Sequence, residues 1–256
     1  MKLIYLISAA AVLSSLQYTV LGSENFSLWP RRPEALEQAR QLMQENKGGE
    51  AVLLLQPYVT DDGIAGHEAR QICARVNVPR YLSRLHPGAI VYTVRKGDNM
   101  ARIAATQKCP QDVIMLLNGI VEPSSLRIGQ KLVVVPMRLR MEIRPWQREI
   151  SVWDNDQFVA AYSIAKVEGI MGKKEGQVEQ VCLNSREGYL DNQPVPAKSP
   201  SYPASEKVLI LSNGVVLTAG NHGGGTSRLW VEQKDLNELS MLLNCGNEVR
   251  IIYSKR

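Results

Sequence analysis

The chain has 256 residues, 45% of them apolar, with 30 basic and 25 acidic side chains and a net charge of +5. That length and apolar fraction leave room for roughly two or three small domains with real cores and exclude a disordered chain. The basic residues form no long run, so nucleic acid is not an expected partner; the surplus suits anionic wall polymers or lipid head groups, or simply solubility.

At the N-terminus Lys2 precedes an apolar stretch, Leu3 to Leu21, broken by a few Ser, Gln and Thr, with Gly22-Ser23 ahead of Glu24. This is the pattern of a secretory signal peptide over residues 1–23. An uncleaved anchor is the alternative, since the stretch approaches spanning length, and it would be the chain's one contact with membrane. No Cys ends the segment, which argues against a lipid-modified N-terminus. The expected location is therefore the periplasm or cell envelope. All four cysteines lie in the exported portion, an even count that permits two disulfides, Cys182 with Cys245 and Cys73 with Cys109. Four buried thiols are the alternative. There is no CxxC and no Cys/His cluster at ligand spacing, so neither a metal nor any other cofactor is expected.

Residues 24–88 are helical in pattern. Pro33-Glu34 suits a helix start, and Ala35, Leu36, Ala39, Leu42 and Met43 form one face. Gly48-Gly49 is expected to break that helix, and Ala51 to Leu55 to begin a second, ended by Pro57. A third helix is expected over 65–76 and a short fourth over 79–85. The first two resemble a tetratricopeptide-like hairpin, but one weak repeat favours a packing cap or spacer. His67 and His86 have no partner at catalytic or ligand spacing.

Residues 89–137 carry the strongest signal. Val91 to Arg95 alternates as a half-buried strand, Gly97-Asp98-Asn99 stops it, and Met100, Ile103 and Ala104 recur at helical spacing. Pro110 opens a second helix whose buried face is Val113, Leu116 and Leu117, and Asn118-Gly119 ends it. Leu126 and Ile128-Gly129-Gln130 turn into a closing strand, Leu132 to Val135, before Pro136. Tyr92, Val94, Gly97, Asp98, Ile103, Ala104, Asn118, Leu126, Gly129, Gln130, Leu132 and Pro136 together resemble the LysM pattern, with Met100 where Leu is usual and Asn99 where Thr or Ser is usual. The resemblance implies a βααβ module that binds N-acetylglucosamine in peptidoglycan or chitin. It places the sugar in a shallow groove between Gly97, Asp98, Asn99 and Met100 on one loop and Asn118, Gly119, Ile120 and Val121 on the other. Backbone groups would meet the N-acetyl group, and Met100, Ile120 or Val121 would floor the sugar. Gly97, Asp98 and Asn118 also have a plainer explanation as turn and cap residues. A lone module of this kind binds weakly and gains from a second contact.

Residues 138–256 turn to β patterning. Strands are expected at 141–143, 149–153 and 158–164, with Asp154-Asn155-Asp156 as a hairpin turn. A Gly- and Pro-rich stretch follows. A second hairpin, 208–211 with 215–218, turns at Asn213-Gly214, and a helix over 235–243 and a strand over 248–253 close the chain. The segments 148–155, 184–197 and 235–251 resemble an L,D-transpeptidase (YkuD-type) domain. That family needs a Cys thiolate beside a His. Counting back from Asp235 puts Arg228 at the Cys position, Thr226 at the His position and Trp230 at the Arg position; using Asn221-His222-Gly223-Gly224 instead puts Gly224 there. Lys173-Lys174-Glu175-Gly176 stands where the family has Thr-Pro-x-Gly, and neither Cys182 nor Cys245 is placed to substitute. His222 is expected to be a solvated turn residue, and Asp154 and Asp156 to be hairpin residues.

The expected architecture is α+β and multidomain: helical segment, LysM module, and a mainly-β transpeptidase-like domain without catalytic residues. The expected function is an exported protein binding peptidoglycan glycan strands, with the β domain as scaffold. The alternatives are a wall enzyme using non-standard residues and an adaptor whose helices recruit other cell-envelope proteins.

Overall fold

The computed structural model describes residues 32–170, 176–196, 199 and 201–253. The segment expected to be a signal peptide and the stretch Lys173-Lys174-Glu175 lie outside them. No helix among the described residues is long and apolar enough to cross a membrane.

Three helices open the described chain. Helix α1 (Arg32–Gln44) buries Ala35, Leu36 and Ala39, as the periodicity predicts. Its end lies before the glycines: Asn46 takes a left-handed φ of 59°, and α2 (Gly48–Leu55) begins at Gly48 itself. A Cβ at Gly48 would stand 2.8 Å from Val76 Cγ2 on the helix that follows, so glycine there lets α2 approach that helix rather than breaking α1. Helix α3 (Ile64–Tyr81) carries Pro79 in its last turn. The expected third and fourth helices are therefore one. A proline so near the C-terminus removes one internal hydrogen bond in a turn that frays in any case.

The next segment is the βααβ module. Strand β1 (Ile90–Thr93) leads to α4 (Met100–Gln107) and α5 (Gln111–Asn118), and β2 (Lys131–Val134) returns antiparallel to β1 with Tyr92 opposite Leu132. The buried face of α5 is Val113, Ile114 and Leu117, whereas Leu116 is 52% exposed. Sequence periodicity places 113, 116 and 117 on one arc equally well; the position of β2 selects Ile114 instead.

The remaining strands are β3 (Leu139–Arg144), β4 (Glu149–Asp154), β5 (Gln157–Glu168), β6 (Gln177–Leu190), β7 (Gln193–Val195), β8 (Glu206–Leu211), β9 (Val215–Thr218), β10 (Ser227–Val231) and β11 (Glu248–Tyr253), with α6 (Gln233–Leu242) before the last. They form one sheet in the order β11-β3-β4-β5-β10-β9-β8-β6-β7. Strand β11 also pairs with the first part of β6, Glu248 opposite Cys182 through Tyr253 opposite Gln177. The hydrogen bonding thus closes on itself as in a barrel, which removes most free strand edge. Strands β6 and β10 were not expected from the sequence. The segment 184–197, which resembles a long loop, is largely the β6–β7 hairpin, turned by Asp191 and Asn192 at φ 50° and 62°.

One hydrophobic cluster runs from Val78 and Tyr81 through the module (Val94, Met100, Ile103, Val113, Leu132) into the sheet (Met141, Ile150, Leu209, Leu229, Ile251). A second joins α1, α2 and α3 to Trp153, Phe158 and Ala161 on the other side of β4 and β5. These strands are covered on both faces, which is why β4 is a nearly continuous buried run rather than an alternating one. Trp153 and Phe158 meet edge to face with centroids 5.3 Å apart. A buried ion pair ties α3 to β4: Arg70 Nε donates to Glu149 Oε1 at 2.6 Å, and both side chains are fully buried. Arg70 Nη1 also donates to the carbonyls of Val59 and Asp61, and His67, without a partner in the sequence pattern, meets the second Glu149 oxygen. His86 Nδ1 accepts from the Gly88 amide, and its ring lies against Tyr81.

All four cysteines are free in the structure. Cys73 is buried in the cluster beneath the helices and Cys109 in the cluster of the module and sheet, so the Cys73–Cys109 bridge is not formed. Cys182 is half-buried on β6 and Cys245 is exposed in the α6–β11 connection, and that bridge is not formed either.

Candidate functional site

The two loops of the βααβ module are framed by side chains that the sequence singles out. In the first loop Gly97 has φ +88°, and Asp98 closes the turn. Its Oδ2 accepts from the Arg95 amide at 2.8 Å and from the Tyr92 hydroxyl at 2.7 Å. The Arg95 amide first, and the Tyr92 hydroxyl second, hold the Asp98 carboxyl below its ordinary pKa. Asn99 caps α4, its Oδ1 accepting from the Arg102 amide at 2.9 Å. Arg102 Nη1 then donates to the Gly97 carbonyl at 3.0 Å, a brace the sequence pattern did not reveal.

The second loop is fixed by Asn118. Its Nδ2 donates to the carbonyls of Ile114 and Val133, each at 2.8 Å, and its Oδ1 accepts from the Val133 amide at 2.8 Å. These bonds use both amide protons and join the end of α5 to β2. Gly119 follows in the left-handed region, φ +62°, and the Ile120 amide donates to Met115 O.

The expected site residues therefore divide. Asp98 Oδ2 and both ends of the Asn118 amide are engaged in bonds that frame the loops. Met100 is 2% exposed and packs in the core, so it does not floor a sugar; helical spacing makes it a buried first-turn residue. Gly97, Asn99 and Gly119 are exposed, Ile120 is half-buried, and Val121 is 84% exposed. Of the expected site residues, those left on the surface are therefore Gly97, Asn99, Gly119 and Val121, with Ile120 partly so. Such a surface can match an amide-bearing sugar through backbone groups and apolar contact.

The glycine-rich crossover between β9 and β10 carries His222. His222 does have partners. Its ring stacks on Tyr189, with centroids 4.6 Å apart and planes 9° from parallel, and its Nε2 lies 3.2 Å from Glu206 Oε2. Its side chain is only 17% exposed, so it is not the solvated turn residue expected. Arg228 Nη2 donates to Gly223 O at 2.9 Å, and Trp230 Nε1 donates to Glu168 Oε2 at 3.0 Å. Among the described residues, no thiol or hydroxyl nucleophile bonds to His222. Asp154 bonds the Arg138 amide, as a hairpin residue does. No group of His, Cys, Asp and Glu among the described residues could hold a metal ion.

Residues 92–135 match the family model for the LysM domain. No curated protein matches the chain. Among solved structures, the chain is similar to L,D-transpeptidase 1 of Mycobacterium tuberculosis, with 11% identity over 49% of this chain and 67% of that one, at a TM-score of 0.28. The module, closed and framed as described, is a LysM domain, and LysM domains bind peptidoglycan glycan.

Proposed function

We propose that this chain is an exported protein whose activity is to hold peptidoglycan glycan strands in the cleft between the 97–99 and 119–121 loops, with the β region as a non-catalytic scaffold. The observation that carries the reading is the match of residues 92–135 to the LysM domain, with Gly97, Asn99, Gly119 and Val121 exposed on its two loops. The scaffold part is supported by the crossover loop, where a histidine and a carboxylate meet and, among the described residues, no nucleophile joins them. A general base without a group to activate does not make a covalent catalyst.

Two measurements test this. Titration of N-acetylglucosamine oligomers into 15N-labelled protein is expected to shift the amides of 97–99 and 119–121, and Val121→Glu to weaken binding without lowering the melting temperature. Shifts confined to other surfaces would refute the cleft. Incubation with a carbapenem is expected to leave the mass unchanged; an acyl adduct at any residue would favour a working wall enzyme.

A further inference from the structure

A groove of about 730 Å³ runs between α4 of the module and the sheet, and none of residues 97–100 or 118–121 lines it. The wall from α4 is Ala101, Ala104 and Ala105, whose short side chains leave the space open. The facing wall is strongly basic: Arg138, Arg140, Arg186 and Arg250, with Lys108 at the end of α4, against Glu248 as the one carboxylate of the lining. Three of these cations are engaged, Arg250 by Glu248 at 2.6 Å, Arg186 by Asp112 at 2.8 Å and Arg140 by Glu142 at 3.4 Å. Lys108 and Arg138 are exposed and have no ion-pair partner among the described residues. The backbone brings them together, because the Met137 amide donates to the Lys108 carbonyl at 2.9 Å. The Arg138 amide is in turn held by Asp154 Oδ1 at 2.8 Å.

Ala101 is one of the groove's lining residues. It follows the Asn99–Met100 corner directly, and α4 then leads over its eight residues, roughly 12 Å, to the two uncommitted cations. An extended tripeptide spans roughly 10 Å. The stem peptides of peptidoglycan are short and carry free carboxylates. We propose that this groove binds the carboxylate-bearing stem peptide of the same strand whose sugar sits in the cleft, so that the protein recognises peptide-substituted glycan over bare glycan. The proposal rests on the glycan-binding reading and deepens it. A second contact on one ligand also raises the weak affinity of a single module without a second module.

The test uses the full chain, wild type and Lys108→Glu/Arg138→Glu, with three ligands: N-acetylglucosamine oligomers, glycan fragments bearing stem peptides, and the free stem peptide. Wild type is expected to prefer the peptide-bearing fragment, with the preference shrinking as salt screens it. The double variant, with an unchanged melting temperature, is expected to lose about tenfold for that fragment and nothing for the bare oligomer. Equal wild-type affinity for both glycans would overturn the proposal, as would an equal loss for both in the variant. Binding of the free peptide without binding of the bare oligomer would remove the cleft reading and leave the groove standing.

Discussion

Asn118→Ala separates a frame residue from a ligand-contacting one. The side chain makes three hydrogen bonds of 2.8 Å, each with a net stabilisation of about 0.5–1.5 kcal/mol. The Val133 amide and carbonyl are half-buried, so water replaces part of what they lose, and the expected cost is roughly 2–4 kcal/mol. For a domain of this size that lowers the melting temperature by roughly 5–15 °C. Asn118→Asp is expected to cost at least as much at neutral pH. Its carboxylate still accepts from the Val133 amide but faces the carbonyls of Ile114 and Val133 with no proton to donate. Thermal melts followed by circular dichroism, run beside glycan titrations, give the answer. The frame role is refuted if Asn118→Ala melts within about 1 °C of wild type yet no longer binds glycan, because the side chain would then act on the sugar itself.

Three further outcomes follow from the same geometry. Glu149→Ala strands the buried Arg70 guanidinium and is expected to cost about 3–5 kcal/mol in urea unfolding, most of it recovered in Arg70→Met/Glu149→Leu; an unchanged midpoint in the single variant would show that the pair does not anchor α3 to the sheet. Iodoacetamide under native conditions is expected to label Cys245 and, more slowly, half-buried Cys182. Burial pushes the Cys73 thiol up to about 12 and the Cys109 thiol up to about 11, so both stay unlabelled until the protein unfolds, and fewer than four labelled thiols in unreduced denaturant would reveal a disulfide. Because the folded Asp98 carboxyl titrates below its unfolded value, its stabilising contribution is full above the unfolded pKa and disappears as pH falls through the folded one. The Arg95 amide signal is therefore expected to move on acidification in wild type and not in Asp98→Asn, and a pH-independent wild-type signal would contradict the lock.

The module was legible because its signals are local: a glycine at positive φ, a cap three residues from its partner, and apolar spacing within one helix. What the side chains do was less legible, since Asn118 is completed by Val133 across the chain reversal and Met100 is buried by residues it meets only after folding. The sheet was half visible. Hairpins turned at Asn155 and at Gly214 announce themselves through left-handed residues. Strand β6 does not, because its polar, half-exposed sequence divides its pairing between β11 and β8 and so lacks a uniform alternation. The partners of His222 come from β6 and β8, and the carboxylate shared by His67 and Arg70 comes from β4. No spacing rule within one segment could have found them.

The central claim is that the folded chain holds peptidoglycan through its LysM cleft, and sedimentation with purified, protein-free peptidoglycan tests it most directly. Wild type is expected in the pellet, released by N-acetylglucosamine oligomers, while Val121→Glu remains largely in the supernatant. Wild-type protein that is folded yet stays in the supernatant, or that pellets equally with Val121→Glu, would contradict the account.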